Sequence, residues 1–340
     1  MTSRVLVVTP PPPDLHDTGA RHPERPARID AARAGIADAD LGEACSFSSG
    51  RAATRTELEL VHDDRYVGAL EELAASGGGH LDPDTVVAPG SFAAAARAAG
   101  CGLAAVEALQ RGDAETAFVV ARPPGHHAER ARGQGFCLFN SVAVAAAGLV
   151  AQGERVLIVD WDVHHGNGTQ DIFWDDPSVL YVSTHQWPAY PGTGRASETG
   201  GPGAPGLTMN FPLPPGATGD VARAALDDVV APAVDRFGPT WVLISAGFDA
   251  HRADPLADLQ WSAGDYGLLA TRVAAFAPVA GRVVAFLEGG YDLDALRASV
   301  AASVAAWAGE SCATEPPTEG GPGRDVLEQT RLNLERAATG

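Results

Sequence analysis

Short, almost uninterrupted apolar runs rich in β-branched residues recur along the chain at wide spacing, over residues 5–9, 117–121, 155–160, 179–184, 208–212, 241–245 and 282–287. A strand with one wet face alternates apolar and polar residues; a strand buried on both faces of a parallel sheet does not. Between the runs lie Ala-rich stretches of helical length at 25–40, 56–75, 91–110, 141–152, 220–237, 262–277 and 293–308. This alternation predicts an α/β fold, a single doubly wound, mainly parallel sheet flanked by helices. It ends near residue 310, so 1–310 is expected to be one domain. Beyond it, 314–323 (TEPPTEGGPG) reads as a turn-rich tether and 325–338 as a short terminal helix. Two long Gly- and Pro-containing loops, 10–25 and 186–207, have a length that compact domains usually reserve for function.

Polar clusters follow five of the runs: RPPGHHA at 122–128, DWDVHHGNG at 160–168, STHQW at 183–187, GFDAHRADP at 247–255 and EGGYD at 288–292. Ligands of open α/β sheets bind outside the carboxyl ends of the strands, so the five clusters describe one pocket. Asp160, Asp162 and His164 alternate, which puts them on one side of an extended segment. Asp249 ends another apolar run. Asp162, His164 and Asp249 together suit Zn²⁺ with an open position, or Fe²⁺ or Co²⁺. A solvated Asp-x-His loop is the plainer reading, and two buried strand ends argue against it.

His126 and His127 follow Pro123-Pro124-Gly125, a rigid turn. Adjacent imidazoles can hardly both be cationic. Alone they read as buried hydrogen-bonded histidines; beside a metal, a base-and-acid role toward water is the better reading. Tyr291 follows Gly289-Gly290, where a phenol could donate to an oxyanion and glycines allow close approach to a ligand.

Composition narrows the picture. The 340 residues are 45% hydrophobic, ample for a large core. No apolar run reaches the roughly 18 residues of a membrane span, so no membrane partner is expected. The opening MTSRVLVVTPPPPD lacks a small-residue cleavage site and reads as a first strand closed by prolines. Four scattered cysteines without a CxxC pair argue against a zinc ribbon or disulfide framework and suit a reducing, cytoplasmic setting. A net charge of −19 argues against nucleic acid as partner. It could attract cationic substrates, although solubility explains it equally well.

Together these motifs resemble the arginase/deacetylase superfamily, specifically class II histone deacetylases and the bacterial histone deacetylase-like and acetylpolyamine amidohydrolases. HDTGARHPERP at 16–26, RPPGHHA, GFCLFN at 135–140, DWDVHHGNGT, PGTG at 191–194, SAGFDAHRADPL at 245–256 and LEGGYDL at 287–293 carry the likeness in order. The resemblance implies a zinc-dependent deacetylase that hydrolyses an acetamide to acetate and amine. Asp162, His164 and Asp249 would hold zinc, although Fe²⁺ stays open as the native ion. His127 would be the general base, His126 its electrostatic partner backed by Asp160, and Tyr291 the donor to the carbonyl. Gly135, Phe136 and Tyr190 would wall a narrow acyl-lysine tunnel beside Gly289 and Gly290. Potassium would sit among Asp160, Asp162, His164, Ser183 and Thr184, with a second site near Phe173, Asp176 and Val179.

Two positions refine the subtype. Asn167 stands where class I enzymes carry Asp; it would soften His127 as a base, so that Asn167→Asp should shift the pH–rate profile. Leu256 replaces the acid that polyamine-preferring relatives use as a gate, which favours acyl-lysine. Asp14, Asp17 and Glu24 near the entrance keep acetylated polyamines in play. No long insertion falls in 78–91, which favours peptide access, and a homo-oligomer is possible. His16, His22 and His62 read as structural or rim residues, Glu24 as a brace, His165 as turned away, and Asp254 as a rim residue. A two-manganese ureohydrolase would need further bridging acids, but the chain has Gly166 and Asp249-Ala250-His251 there. An inactive acyl-lysine-binding relative would have lost Tyr291, a ligand or a histidine of the pair, and none is lost.

Overall fold

The computed structural model describes residues 3–13, 15–312 and 315–337. Its strands are β1 (Ser3–Thr9), β2 (Cys45–Ser49), β3 (Gly79–His80), β4 (Val86–Val87), β5 (Ala114–Val119), β6 (Val156–Asp160), β7 (Val179–Gln186), β8 (Thr208–Leu213), β9 (Trp241–Ala246) and β10 (Val283–Leu287). Eight of them form one sheet in the order β2-β1-β5-β10-β9-β6-β7-β8. Every pairing in it is parallel. β3 and β4 make a separate antiparallel hairpin.

All seven expected strands are present. β2 was not expected. Its sequence CSFSS is polar, and Phe47 is 67% exposed. This edge strand, paired only with β1, is left half-buried to exposed and so lacks the two-sided burial that writes an apolar run, whereas β8 at the other edge is buried on both faces and keeps one.

The helices are α1 (Ala27–Asp38), α2 (Arg55–Leu58), α3 (Asp64–Ala75), α4 (Ser91–Gln110), α5 (Ser141–Val150), α6 (Asn167–Phe173), α7 (Gly219–Ala225), α8 (Ala231–Phe237), α9 (Ala263–Ala274), α10 (Leu293–Trp307) and α11 (Arg324–Ala337). They cover both faces and create two cores. Val5, Val7, Leu157 and Val159 join α1, α7, α9 and α10 in one. Leu6, Val8, Val156 and Ile158 join α3, α4 and α5 in the other. Successive strand residues therefore serve opposite cores, which is why the runs are continuously apolar.

Three expectations change. The stretch 56–75 is not one helix. Thr54 and Glu57 cap α2 reciprocally, and the chain then breaks so that Asp63 N donates to Arg130 O at 2.8 Å. Within the break His62 lies 3.0 Å from Glu129 O and accepts from Asn140 N at 2.9 Å. Tertiary anchors outweigh local helix propensity there.

Second, α4 is a 20-residue helix long and apolar enough to cross a bilayer by length and composition alone, contrary to the reading that no run reaches span length. Alanine raises its mean hydropathy. In the fold its buried residues belong to the second core.

Third, residues 315–323 are bound to the body rather than strung beside it. Glu315 pairs with His251 at 2.8 Å and Arg252 at 2.6 Å, and Thr318 Oγ1 donates to Asp265 at 2.7 Å. Val326 and Leu327 of α11 sit in the first core. Asp14, Thr314 and Ala338 lie outside the described residues. All four cysteines are unpaired.

Candidate active site

Five contiguous central strands, β5-β10-β9-β6-β7, each end in one of the polar clusters. The parallel arrangement brings those carboxyl ends side by side, so that residues 163 positions apart in the chain meet: Gly125 N donates to Glu288 Oε2 at 2.6 Å.

Asp162, His164 and Asp249 present donor atoms that all lie within 4.8 Å of one another. His164 Nδ1 is 3.2 Å from both Asp162 Oδ1 and Asp249 Oδ2. The outer oxygens are tied down: Gly289 N donates to Asp162 Oδ2 at 2.8 Å, and Val163 N to Asp249 Oδ1 at 2.9 Å. A Cβ on Gly289 would fall 2.0 Å from Asp249 Oδ2. That glycine therefore makes room for the ligand carboxylates.

Charge shows what the trio lacks. Burial and Asp162 push the Asp249 carboxyl up to about 7. Burial opposes the His164 imidazolium, but Asp162 and Asp249 prevail and hold it at about 10. Two buried carboxylates around one imidazole call for a cation, and two oxygens plus one nitrogen with an open position fit a zinc-like ion.

The rings of His126 and His127 lie against each other, tilted by 42° with centroids 4.0 Å apart. His126 Nδ1 lies 3.0 Å from Asp160 Oδ2, and His127 Nδ1 lies 2.8 Å from Asn167 Oδ1. Their surroundings drive them apart. Burial disfavours the His126 cation, yet Asp162 and Asp160 outweigh it and raise the ring to about 10. Burial, then repulsion from His126 and His164, pushes His127 well below its ordinary value. One ring is held cationic and the other neutral, as an acid–base pair requires.

Asp160 is fully buried and also accepts from Asp162 N at 3.1 Å and Tyr181 OH at 3.3 Å. Ser183 Oγ lies 2.9 Å from His185 Nδ1, and Thr184 Oγ1 is buried without a hydrogen-bond partner among the described residues.

A cavity of about 210 Å³ opens above the ligand trio, lined by Asp84, His127, Gly135, Phe136, His164, Tyr190, Leu256 and Tyr291. Two larger surface grooves, about 840 and 390 Å³, contain none of the ligands or paired histidines. Phe136 sits at φ 68°, a left-handed conformation rare outside glycine and typical of constrained functional positions. Gly135, at φ 56°, is obligatory: a Cβ there would meet His127 Cδ2 at 2.5 Å and Tyr190 Cε1 at 2.9 Å. The Phe136 ring stands 5.8 Å from that of Tyr291. Gly289 and Gly290, expected beside the substrate, do not line this cavity. Gly289 serves the carboxylates, and Gly290 O accepts from Arg28 Nε at 2.7 Å.

Sequence reasoning missed Asp84 and Glu129. Asp84 sits in the β3–β4 turn, where Asp82 Oδ1 accepts from Asp84 N at 3.1 Å and Thr85 Oγ1 accepts from Phe136 N at 3.1 Å. A two-residue strand gives no periodic signal. Glu129 reaches Asn167 and Gln134, contacts that no spacing announces. Asp254, read as a rim residue, takes Tyr291 N at 2.7 Å, Asp292 N at 3.3 Å and Leu256 N at 3.0 Å, and so holds the Tyr291 turn. His165 turns away to Thr193 and Gln170.

Glu24 is fully buried and pairs with Arg122 at 2.5 Å and Arg28 at 3.2 Å. Burial opposes its charge, but His16, Arg122 and Arg28 prevail and hold it far below the usual carboxylate range. Such a depressed carboxyl contributes stability above its unfolded value of 4.5, and that contribution is lost as pH falls through the folded value. Glu24→Gln is expected to cost about 3 kcal/mol at pH 7, because two buried guanidinium groups lose their counter-charge. Denaturant melts at pH 7, pH 4 and about pH 2.5 check this: the gap between variant and wild type should change little by pH 4 and narrow clearly below it.

Comparison with known proteins gives a consistent result. The histone deacetylase domain matches residues 22–307. A probable deacetylase of Archaeoglobus fulgidus is 40% identical over 285 residues, 82% of this chain and 79% of the relative. The histone deacetylase-like amidohydrolase of Pseudomonas aeruginosa is 38% identical over 244 residues, 70% of this chain and 64% of that protein. The human polyamine deacetylase HDAC10 is 37% identical over 322 residues, 90% of this chain but 47% of that protein. The crystal structure of the HDA15 HD domain superposes with a TM-score of 0.86 at 35% identity, covering 100% of this chain and 96% of that one.

Proposed function

The chain belongs to the histone deacetylase family, and from that premise we propose that it removes acetyl or other short acyl groups from Nε-acyl-lysine with zinc held by Asp162, His164 and Asp249. One observation carries the reading: the three donors, the split histidine pair and Tyr291 converge at or beside one small cavity. Zinc, when bound, polarises the amide carbonyl and acidifies water beside it.

The chain's own residues supply the rest. His127, kept neutral and held through Nδ1 by Asn167, has Nε2 to take a proton from water. His126, whose Nδ1 pairs with Asp160, stabilises developing negative charge and has a proton to give the leaving amine. Tyr291 donates its hydroxyl to the carbonyl oxygen as that oxygen gains charge. Phe136 and Tyr190 flank the lysine methylenes and exclude water. Potassium among Asp160, Asp162, His164, Ser183 and Thr184 would offset the carboxylates behind the site.

Leu256 on the cavity wall favours an acyl-lysine over a polycation. Asp84 on the same wall favours the second reading, an acetylated polyamine whose free ammonium would pair with it. Side-by-side kinetics on an acetyl-lysine peptide and acetylspermidine test the choice. A kcat/KM at least about tenfold higher on the peptide is expected, a difference of about 1.4 kcal/mol. The reverse order would hand the site to polyamines, and no turnover of either would remove the deacetylase reading.

A further inference from the structure

Asn167 and Glu129 form a contact whose chemistry dictates the state of His127. Asn167 Nδ2 donates to Glu129 Oε1 at 2.7 Å, and Gln134 Nε2 donates to the same oxygen at 2.9 Å. A carboxylate only accepts, so the amide's NH₂ end must face it. The amide oxygen is thereby turned to His127 Nδ1, 2.8 Å away. An oxygen that only accepts requires a proton on Nδ1, which leaves Nε2 bare. Without the carboxylate the amide could flip and present its NH₂ to the ring, which would favour the opposite tautomer.

The surrounding backbone holds the contact in place. His62 sits 3.0 Å from Glu129 O, and Glu129 N donates to Arg132 O at 2.8 Å. Asn140 Nδ2 donates to Ala128 O at 3.2 Å. A Cβ on Gly168 would strike Ala128 O at 2.3 Å, so the segment bearing His127 and the start of α6 are pressed together. Gln134 carries the same carboxylate's hold to the turn that presents Gly135 and Phe136.

We infer that Glu129 is a positioning residue for the base: its carboxylate orients the Asn167 amide and so selects the His127 tautomer with a free Nε2. The inference rests on the deacetylase reading above for the role of His127. It also makes Asn167 and Glu129 a matched pair. An acid at 167 faces an acid at 129 across a hydrogen-bond distance, so one must take a proton or swing away.

A double-mutant cycle tests this on the full-length, metal-loaded protein with Asn167→Asp, Glu129→Gln and the double variant. Asn167→Asp alone is expected to lower kcat/KM by about 100-fold, mostly in kcat, the upper range for losing a group that orients a catalytic residue. Glu129→Gln alone is expected to cost up to about tenfold in kcat with KM within about twofold, because its amide can still accept from Asn167 but no longer dictates which end of the Asn167 amide faces it. The double variant should recover to within about tenfold of wild type. In it the amide introduced at position 129 can donate to the carboxylate introduced at position 167, and that carboxylate still accepts from His127.

A double variant no better than Asn167→Asp, or a fully active Asn167→Asp, overturns the inference. Wild-type protein inactive on both the peptide and acetylspermidine overturns the deacetylase reading instead. In that event the melting temperatures of the same four proteins decide the pair: a drop in Asn167→Asp repaired by Glu129→Gln supports it, and a flat series overturns it.

Discussion

Asp249→Asn is expected to leave a folded protein that retains no stoichiometric zinc after dialysis and loses at least about 10³-fold in kcat/KM, since metal stabilisation of transition-state charge is worth several kcal/mol. The substitution is chosen for what it keeps. An asparagine oxygen can still accept from Val163 N, which Asp249 Oδ1 now takes at 2.9 Å, so the backbone of the neighbouring strand end stays satisfied. What it removes is one of two negative charges packed around His164. Burial already drives Asp249 up to about 7, so in the absence of a cation this carboxyl is the one poised to give up its charge. Metal content per chain by elemental analysis, beside kcat/KM on acetyl-lysine peptide, makes the measurement. One retained zinc per chain with an unchanged rate would remove Asp249 from the ligand set.

Tyr291→Phe should lower kcat by about 10²- to 10³-fold while KM moves little, the signature of a donor that acts on charge formed in the transition state. Phenylalanine keeps the ring against Phe136 and beneath Arg28, whose guanidinium carbon lies 5.0 Å from the Tyr291 ring centre. The turn stays fixed because Asp254 grips backbone amides of Tyr291 and Asp292, not the side chain. Stability should therefore change by less than about 0.5 kcal/mol. Burial and the Asp249 charge push the phenol well above its ordinary value, so it remains a donor throughout the working pH range. The loss should then be the same at pH 6 and pH 9. An increase confined to KM, or a loss that appears only at one end of that range, would show that the hydroxyl serves another purpose.

Legibility from sequence followed burial and periodicity. The seven apolar strands, edge strand β8 among them, are readable because burial on both faces writes an unbroken apolar run; β2, with Phe47 in solvent, writes none. The 56–75 stretch looked like one helix because its residues are good helix formers, whereas the break at 59–63 is imposed by His62 and Asp63 reaching the 129–140 region. In the site, residues within motifs carry their own sequence signature. Asp84 and Glu129, outside any motif, became visible only through their contacts.

Order and spacing alone determined that this is a parallel α/β sheet and that its polar clusters share one end, because strand direction and side-chain alternation are local properties. They also determined the donor types available: two carboxylates with one imidazole, a histidine pair and a phenol. Tertiary structure decided what each does with the others. It aimed Gly289 at the carboxylates rather than the cavity, drove the affinities of His126 and His127 for a proton in opposite directions, and set Glu129 behind Asn167. Those outcomes depend on burial and on partners far away in the chain, 127 residues between Gly289 and Asp162 and 162 between His126 and Glu288, and no local pattern encodes a field that exists only when distant strand ends meet.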